Sequence, residues 1–153
     1  MNYTIFNTPI GFVKIIEEDG YITKVTYEGK YAEELLPQTE LLKLAYSQFN
    51  NYFDGTLKMF ELPIKIDVST YHKKVLEALM SVPYGNTISY KKLAELTGNK
   101  NASRAVGSAM RMNPIPIIIP CHRVVRSDGS LGNYSFGGVS NKDWLITFEQ
   151  QNI

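Results

Sequence analysis

The sequence predicts an α/β protein of the α+β type, with a small antiparallel sheet and one helix in residues 1–66 and a mainly helical domain in residues 67–153. The first observation is a set of short segments in which apolar and polar residues alternate as in strands, at residues 3–6, 12–16 and 21–27. The second is a pair of short helical segments joined by a glycine-containing turn, which is the pattern of a helix-turn-helix. Together they predict a sheet domain followed by a helical domain.

Composition limits the class of protein. The 153 residues are 44% hydrophobic and 20% charged, an ordinary globular balance. No apolar run approaches the roughly 20 residues that span a membrane, and the start lacks the pattern of a signal peptide. The single cysteine excludes an internal disulfide and any zinc site built on two cysteines. We therefore expect an intracellular protein, cytoplasmic or, in a eukaryote, nuclear, without a membrane partner or a metal.

Charge is divided unevenly along the chain. Residues 1–65 carry six lysines and nine acidic residues, a net −3, whereas residues 66–153 carry ten Lys/Arg and six acidic residues, a net +4. A polyanion should therefore prefer the second half.

In the first part, Asp19-Gly20 is a hairpin turn signal, and the strand after it places Tyr21, Thr23, Val25 and Tyr27 on one face. A helix follows, with Gly55 at its C-terminal cap. Its apolar residues recur at helical spacing: Leu41, Leu44, Ala45, Gln48, Phe49, Tyr52 and Phe53. Residues 60–66 then form an extended segment. This part contains no cluster that suggests chemistry.

The second part begins with a helix that Ser69 or Thr70 caps and that runs to about Met80. After a turn at residues 83–86, a helix is predicted over residues 89–96. Thr97-Gly98-Asn99 ends that helix. A further helix covers 102–112, and Asn113-Pro114 ends it. These last two helices form the predicted helix-turn-helix.

The second helix of this pair is unusually poor in long side chains. Its small residues would let the backbone approach a narrow groove closely, and Arg104 or Arg111 could then reach in. The alternative is that this face packs on the domain core. The small residues are Ala102, Ser103, Ala105, Gly107, Ser108 and Ala109.

The stretch from Asn113 to Val124 holds the cysteine. The run Ile117 to Ile119 reads as a short buried strand, after which Pro120 presents Cys121 beside His122. A thiol needs a base or a positive field to react at neutral pH, and an imidazole can supply the base. Arg123 could supply part of the field. The alternative is an inert buried thiol, because neighbours on a regular strand point to opposite faces.

The C-terminal residues complete the pattern. Residues 126–132 are rich in turn formers, and residues 134–138 suit a pocket wall. A final helix over 141–150 places Trp144, Leu145 and Phe148 inward. Glu149, near its end, is either a solvated carboxylate or the partner that holds His122.

Pro-Cys-His-Arg-Val, preceded by Asn-Pro-x-Pro, resembles the signature of the O6-alkylguanine-DNA alkyltransferases. The matching motif runs from Arg104 to Val124 as Arg-Ala-Val-Gly-x-Ala-Met-Arg-x-Asn-Pro-x-Pro-Ile-x-Ile-Pro-Cys-His-Arg-Val. The similarity extends from about Tyr71 to Glu149. A looser match lies upstream, in Gln48-x-x-x-Tyr52-Phe53-x-Gly55. The resemblance implies a ribonuclease H-like support domain over 1–66 and a winged helix-turn-helix domain over 67–153 that binds DNA and carries out the alkyl transfer.

The resemblance also implies an activity: direct repair of double-stranded DNA by a monomer without cofactor or metal. The protein would bind the minor groove and flip O6-alkylguanine, with O4-alkylthymine as a further substrate, while Arg104 enters the base stack. Cys121 would take the alkyl group irreversibly, so each molecule would act once. His122 would accept the thiol proton through a water, and Glu149 would orient His122.

Further roles come from the same resemblance. Tyr90 would donate a proton or hydrogen bond to the guanine ring, and Asn113 would hold the turn before the reactive segment. The base pocket would be lined by Met110, Val124, Tyr134 and Ser135. Contacts to the DNA would come from Lys91, Asn99, Ala102, Ser103, Arg104, Arg111 and Ser127. The loop around Phe136 is one residue longer than the family's Tyr-x-Gly-Gly, which leaves open which alkyl sizes fit.

Two other functions remain open at this point. One is a binding module, a lesion sensor or helix-turn-helix regulator, in which Cys121→Ala would leave all activity intact. The poverty of base-reading side chains between Ala102 and Met112 counts against a sequence-specific regulator. The other is a thiol hydrolase built from Cys121, His122 and Glu149, which would turn over an acyl substrate without DNA.

Overall fold

A computed structural model describes residues 1–99 and 102–153, and it confirms the α+β class. The chain forms two compact units, Met1–Ile66 and Asp67–Ile153. The first holds a three-stranded sheet and a helix. In the described residues of the second there are four α-helices, a short 3₁₀ helix and a two-stranded sheet. No helix within the described residues is both long and apolar enough to cross a membrane.

The sheet of the first unit is an antiparallel meander in the order β1-β2-β3. Its strands are β1 Asn2–Thr8, β2 Gly11–Glu18 and β3 Tyr21–Gly29. Asp19 and Gly20 form the predicted turn with φ of 51° and 82°. Two consecutive positive φ values match the twist of the flanking strands, which is why Asp-Gly is favoured there.

The predicted single face of β3 is wrong, because a β-bulge interrupts it. Ile16 pairs with Lys24 and Glu17 pairs with Ile22, so Thr23 is the extra residue between them. Ile22 and Val25 are consequently both buried although they lie three residues apart. The alternation that would have aligned Tyr21 with Val25 is broken at Thr23.

Helix α1, Glu40–Phe53, is capped at its N-terminus by Thr39, whose hydroxyl accepts a hydrogen bond of 3.1 Å from the Leu42 amide. Gly55 follows the helix with φ 88°, the left-handed conformation expected after a helix end. The buried stripe is Leu42, Ala45, Phe49 and Tyr52. Leu44, predicted inward, is 47% exposed, because the helix is turned so that Leu42 occupies the core.

Of the extended segment predicted over residues 60–66, the structure shows one isolated β-bridge and no strand. Ile22 pairs with Ile64 as an isolated parallel bridge, with hydrogen bonds from the Ile22 amide to Pro63 O and from the Lys65 amide to Ile22 O. The segment therefore runs along the edge of β3 and ends the first unit.

The helices of the second unit lie close to their predicted bounds. Ser69 caps α2 through its hydroxyl, and Ser89 caps α3 in the same way. Gly98, with φ 87°, follows α3. The helices are α2 Thr70–Leu79, α3 Tyr90–Leu96, α4 Ser103–Arg111 and α5 Val139–Gln151.

The second unit also holds a two-stranded parallel sheet that the sequence did not predict. Strand β4, Ile88–Ser89, pairs with β5, Val124–Val125. Two residues are too few to show a period. The pairing joins the start of α3 to the chain just after Cys121.

The predicted buried strand at Ile117–Ile119 is wrong in conformation. The isoleucines are buried, but Ile117 has φ 74° and the segment is a tight loop closed by the Ile119 amide on Ile115 O at 2.9 Å. Prolines at 114, 116 and 120 have no N–H to give to a sheet, which prevents a regular ladder.

In α5, Leu145 is buried as predicted, but Trp144 and Phe148 are only half-buried and stack on each other at 4.7 Å between ring centroids. The positions turned into the unit are Asn141, Lys142, Leu145 and Glu149. Three of these four are polar, so an apolar-periodicity argument could not find this face.

Candidate active site

Cys121 begins a 3₁₀ turn, Cys121–Arg123, directly after Pro120. This turn removes the objection that neighbours on a strand point apart, because the backbone here is helical rather than extended. The thiol residue is only 4% exposed, yet it lines a cavity of about 310 Å³. The cavity is lined by Tyr90, Ser103, Arg104, Gly107, Met110, Arg111, Cys121, Arg126, Asn133, Tyr134 and Ser135.

Asn113 holds the loop that precedes the cysteine. Its amide nitrogen donates to Ile119 O at 2.9 Å, and its side-chain oxygen accepts from the Ile115 amide at 3.0 Å. The Ile115 amide needs an acceptor, which the side-chain oxygen supplies, and Ile119 O accepts a second hydrogen bond from the Cys121 amide at 2.8 Å. The Asn113 side chain therefore replaces the missing ladder and fixes the approach to Cys121.

Burial raises the pKa of the Cys121 thiol to about 11. A hydrogen bond from the Asn113 side chain and the charge of Lys142 act in the opposite direction. The resting state at neutral pH is therefore a thiol, and a reaction at sulfur requires the proton to be removed as the sulfur attacks.

The His122 ring is fully buried, and its Nε2 lies 2.7 Å from Glu149 Oε2. Burial lowers the pKa of His122, and Glu149 acts against that effect. The ring is therefore neutral at rest and donates its Nε2 hydrogen to the carboxylate. Nδ1, which is buried and has no hydrogen-bond partner in the described parts of the chain, then carries the lone pair of a base.

Glu149 accepts hydrogen bonds from several donors. Besides His122, the Arg123 side chain binds it twice, with Nε at 2.8 Å from Oε1 and Nη2 at 3.1 Å from Oε2. The Gly85 amide adds a longer bond of 3.3 Å to Oε1. Hydrogen bonds and charge from His122 and Arg123 outweigh burial and hold the pKa of Glu149 far below its usual range.

Arg123 is a structural partner of Glu149 rather than a source of field for the thiol. Its charge is paired with the carboxylate, and its Nη1 donates to Val82 O at 2.7 Å. The sequence prediction gave it a share in activating Cys121. The pairing neutralises that charge, and the turn around Val82 is fixed instead.

Lys142 was missed by the sequence reasoning. It is fully buried on α5, and its Nζ donates to Asn133 O at 3.2 Å and lies 5.7 Å from the centre of the Tyr90 ring. Its position one helical turn before Ile146 and seven residues before Glu149 puts it on the buried side of the helix. That spacing was the available signal, but it identifies Lys142 only once Glu149 is known to face inward.

Two tyrosines form walls of the cavity. Tyr90 packs over Gly132, where an added Cβ would lie 3.0 Å from the tyrosine oxygen. Burial and the neighbouring Cys121 raise the pKa of Tyr90 and, more strongly, that of Tyr134. Both rings are therefore neutral phenols that can donate a hydrogen bond.

Other predicted pocket residues divide into two groups. Met110 and Ser135 line the cavity together with Cys121. Val124 is fully buried in β5 and is not among the lining residues. Phe136 is 4% exposed and is likewise not among the lining residues, and its ring centre lies 6.3 Å from that of Tyr134.

The predicted DNA contacts are also divided. Ser103, Arg104 and Arg111 of α4 are exposed and line the cavity. Ala102 is the half-buried residue at the start of α4. Lys91, Asn99 and Ser127 are exposed and lie outside the cavity lining. Arg126, which was not predicted, adds a third arginine to the rim.

Comparison with known protein families now identifies the chain. Residues 1–66 match the ribonuclease-like domain of 6-O-methylguanine DNA methyltransferase, and residues 70–151 match its DNA-binding domain. The chain belongs to the 6-O-methylguanine DNA methyltransferase family.

Relatives in this family are similar over nearly the whole chain. A methylated-DNA–protein-cysteine methyltransferase of Methanosarcina barkeri is 35% identical over 158 residues, covering 100% of this chain and 99% of the relative. The human protein of the same name is 36% identical over 171 residues, with 100% and 82% covered.

Solved structures agree with the fold. A crystal structure of the Mycobacterium tuberculosis OGT in complex with DNA is 33% identical, covers 99% of this chain and 94% of that chain, and superposes with a TM-score of 0.89. The Mycobacterium tuberculosis O6-methylguanine methyltransferase crystallised on its own gives a TM-score of 0.88 at 32% identity. The predicted family and its two-domain fold are confirmed.

Proposed function

We propose that this protein is a methylated-DNA–protein-cysteine methyltransferase, which repairs DNA by moving an alkyl group from O6 of guanine to Cys121. The observation that carries the proposal is the position of Cys121, the only cysteine, at a cavity wall. It shares a 3₁₀ turn with His122, whose Nε2 is hydrogen-bonded to Glu149. That arrangement is the nucleophile, base and orienting group of an activated thiol.

The reaction follows from the protonation states. As Sγ of Cys121 attacks the alkyl carbon, its proton passes through a water to Nδ1 of His122. The S–C bond forms while the C–O6 bond breaks, and its electrons go to the guanine. Tyr90, a neutral phenol at the cavity wall, donates toward the guanine ring as that charge develops. The guanine, still attached to its deoxyribose, takes up a proton to regain its normal form, and the protein keeps a thioether.

Glu149 makes His122 a base that can accept this proton. The carboxylate fixes Nε2–H by its 2.7 Å hydrogen bond, so the lone pair is on Nδ1, and it stabilises the imidazolium once formed. Arg123 keeps the carboxylate ionised and in place. Asn113 positions the sulfur by bonding both the preceding loop and the thiol.

The partner is DNA, and we infer that it is double-stranded and bound through its minor groove by α4. The small residues of α4 allow close approach, and Arg104 extends from its exposed face beside the cavity mouth. Arg104 would replace the flipped base in the stack. Ala102, Ser103 and Arg111 would contact the same strand. Lys91, Asn99 and Ser127 would bind phosphates and position the duplex.

The flipped base would enter the cavity between Met110, Tyr134 and Ser135, with Val124 supporting the floor from β5. O4-alkylthymine would be a second substrate of the same cavity. The thioether has no leaving route in this site, so each molecule acts once, as a monomer and without a cofactor. The first unit would serve as the support domain.

Two alternatives are weaker on specific grounds. A lesion sensor needs no nucleophile, yet here a thiol, a base and an orienting carboxylate converge. A thiol hydrolase would need a water path to regenerate the thiol, and the three arginines that line the cavity favour a polyanion over a neutral acyl compound.

The decisive experiment is the intact mass of the protein after mixing with a duplex that carries one O6-methylguanine. We expect a gain of about 14 Da on Cys121, the signature of a stoichiometric covalent transfer, and none in Cys121→Ala. Tight lesion binding without a mass change would move the protein to the sensor class. Release of acid from a thioester without DNA would favour the hydrolase.

A further inference from the structure

We infer that Lys142 is a positioning residue that acts through Cys121: its buried ammonium group is the counter-charge that allows the sulfur to become a thiolate. The inference rests on the contacts of one buried side chain with two residues that line the cavity. Lys142 Nζ lies 3.2 Å from Asn133 O and 5.7 Å from the Tyr90 ring centre, and Asn133 and Tyr90 line the cavity together with Cys121.

Lys142 differs from the other buried charged residues of the second unit in its ion pairing. Among the described residues, three charged side chains other than histidine are buried: Arg123, Lys142 and Glu149. Arg123 and Glu149 are paired at 2.8 Å and cancel each other. Lys142 has no carboxylate within ion-pair distance in the described parts of the chain. A buried ammonium without a carboxylate partner is costly, and a thiolate on Cys121 would place a compensating negative charge at the cavity that Asn133 and Tyr90 also line.

The other nearby cations are less suited to this role. Arg104, Arg111 and Arg126 lie at the cavity wall but are exposed, so water screens them. Lys142, by contrast, sits in a low-dielectric site, where a charge acts more strongly. The charge of Lys142 lowers the pKa of Cys121, and Cys121 in turn raises that of Lys142.

Lys142 can supply this charge at neutral pH. Burial lowers its pKa to about 8, with Arg126 acting in the same direction. The other titratable groups that face it are Tyr90, a neutral phenol, and His122, a neutral imidazole at rest. The ammonium is therefore protonated below pH 8 and is lost as the pH rises through that value.

The test uses the single cysteine and needs no DNA. Folded protein is treated with iodoacetamide between pH 6 and 9.5, and the alkylation of Cys121 is followed by intact mass. Lys142→Met removes the charge and keeps much of the volume. We expect its rate at pH 7 to fall by roughly threefold to tenfold for each unit that the thiol pKa rises. The thiolate population changes tenfold per unit, while its intrinsic nucleophilicity changes in the opposite direction.

The pH profile separates a charge from a structural support. In the natural protein the rate should rise with pH and flatten near pH 8, where Lys142 loses its charge. In Lys142→Arg the charge persists, so the rate should keep rising. Lys142→Met should rise throughout from a lower level. Lys24→Met, an exposed lysine of the first unit, is the matched control and should follow the natural protein.

An unchanged alkylation rate in Lys142→Met, or a natural profile that does not flatten near pH 8, would overturn the inference. The second result requires no variant, so the test survives even if Lys142→Met fails to fold. The inference deepens the proposed function, but the two fail separately. A protein that reacts with iodoacetamide as expected and takes no methyl group from DNA would keep Lys142 in this role and lose the repair function.

Discussion

The two units of this protein bury different kinds of residue. In the first unit the buried side chains are apolar except for Thr4, whose hydroxyl donates to Leu35 O at 2.7 Å. The second unit buries a histidine, an arginine, a lysine and a glutamate within its core. Buried charges usually stabilise less than well-packed apolar side chains. The core of the first unit therefore consists of the contacts that stabilise most, whereas the second unit holds a reactive group in place at a cost in stability.

We expect the largest loss of stability from Glu149→Gln, which removes the buried carboxylate of the second unit. The change leaves the buried Arg123 charge without a counter-charge and removes the negative charge that holds His122, so we expect the second unit to lose about 3–5 kcal/mol of unfolding free energy. Trp144 is the only tryptophan and lies in this unit, so its fluorescence in urea reports the loss. Glu61→Gln, at an exposed position of the first unit, should leave the same transition unmoved. Equal effects would contradict the contrast.

Leu42→Ala tests the apolar core of the first unit. Leu42 is fully buried, and its truncation should cost about 2–5 kcal/mol, measured from the loss of sheet signal by circular dichroism. Leu44→Ala is the matched control, because Leu44 is 47% exposed and should cost far less. Cys121 should keep its reaction with iodoacetamide in both variants. A larger cost at Leu44 would mean that the face predicted from the sequence is the buried one.

Asn113→Ala tests a polar contact that stabilises and also positions. Two hydrogen bonds in the loop are lost, and we expect about 2 kcal/mol less stability together with slower alkylation of Cys121. Asn113→Asp keeps the acceptor for the Ile115 amide and loses the donor to Ile119 O, so it should lie between. If Asn113→Ala were as stable and as reactive as the natural protein, the loop would not depend on this side chain.

Acid should weaken the second unit first. The pKa of Glu149 is lower in the folded protein than in the unfolded chain, so its contribution is complete above about pH 4.3 and is lost as the pH falls below it. The loss is up to about 1.4 kcal/mol per pH unit. Urea titrations between pH 5 and 2.5 should show this slope in Trp144 fluorescence. Glu149→Gln should lack it, and an identical slope in that variant would remove Glu149 as the cause.

The smallest expected effect is at the start of α1. Thr39→Ala removes the cap from the Leu42 amide and should cost the first unit about 1 kcal/mol. Thr39→Ser keeps the hydroxyl and should recover most of it. Methyl uptake by Cys121 should be unchanged, and a loss of uptake in Thr39→Ala would show that the first unit does more than fold.

Local sequence rules predicted the parts of the fold that depend on neighbours in the chain. The Asp19-Gly20 turn, the cap of α2 at Ser69 or Thr70, and the glycine after α1 were all identified in this way. The bulge at Thr23 was not predicted, because the two-residue alternation of a strand contains no signal for one extra residue. The loop around Ile117 was misread because its isoleucines are buried without being in a sheet.

Some residues of the candidate site were predicted from the sequence and others were not. Cys121 and His122 were found from their chemistry and their neighbours, and Glu149 was one of two readings that the structure decides by its 2.7 Å hydrogen bond. Lys142 escaped because a lysine on a helix is normally a solvated residue. The role first given to Arg123 failed because pairing with Glu149 is a contact across 26 residues, which no local pattern contains.

The hydrogen exchange rate of the Gly85 amide can report on the motion of the reactive centre. It donates to Glu149 Oε1, and its φ of 82° in a turn leaves it otherwise outside regular structure. This hydrogen can exchange with deuterium only when its hydrogen bond to the Glu149 carboxylate breaks. The exchange rate therefore reports how often the hydrogen-bond network that orients His122 opens. NMR measurement of this one amide signal would give the frequency of local opening at the reactive centre in the absence of global unfolding.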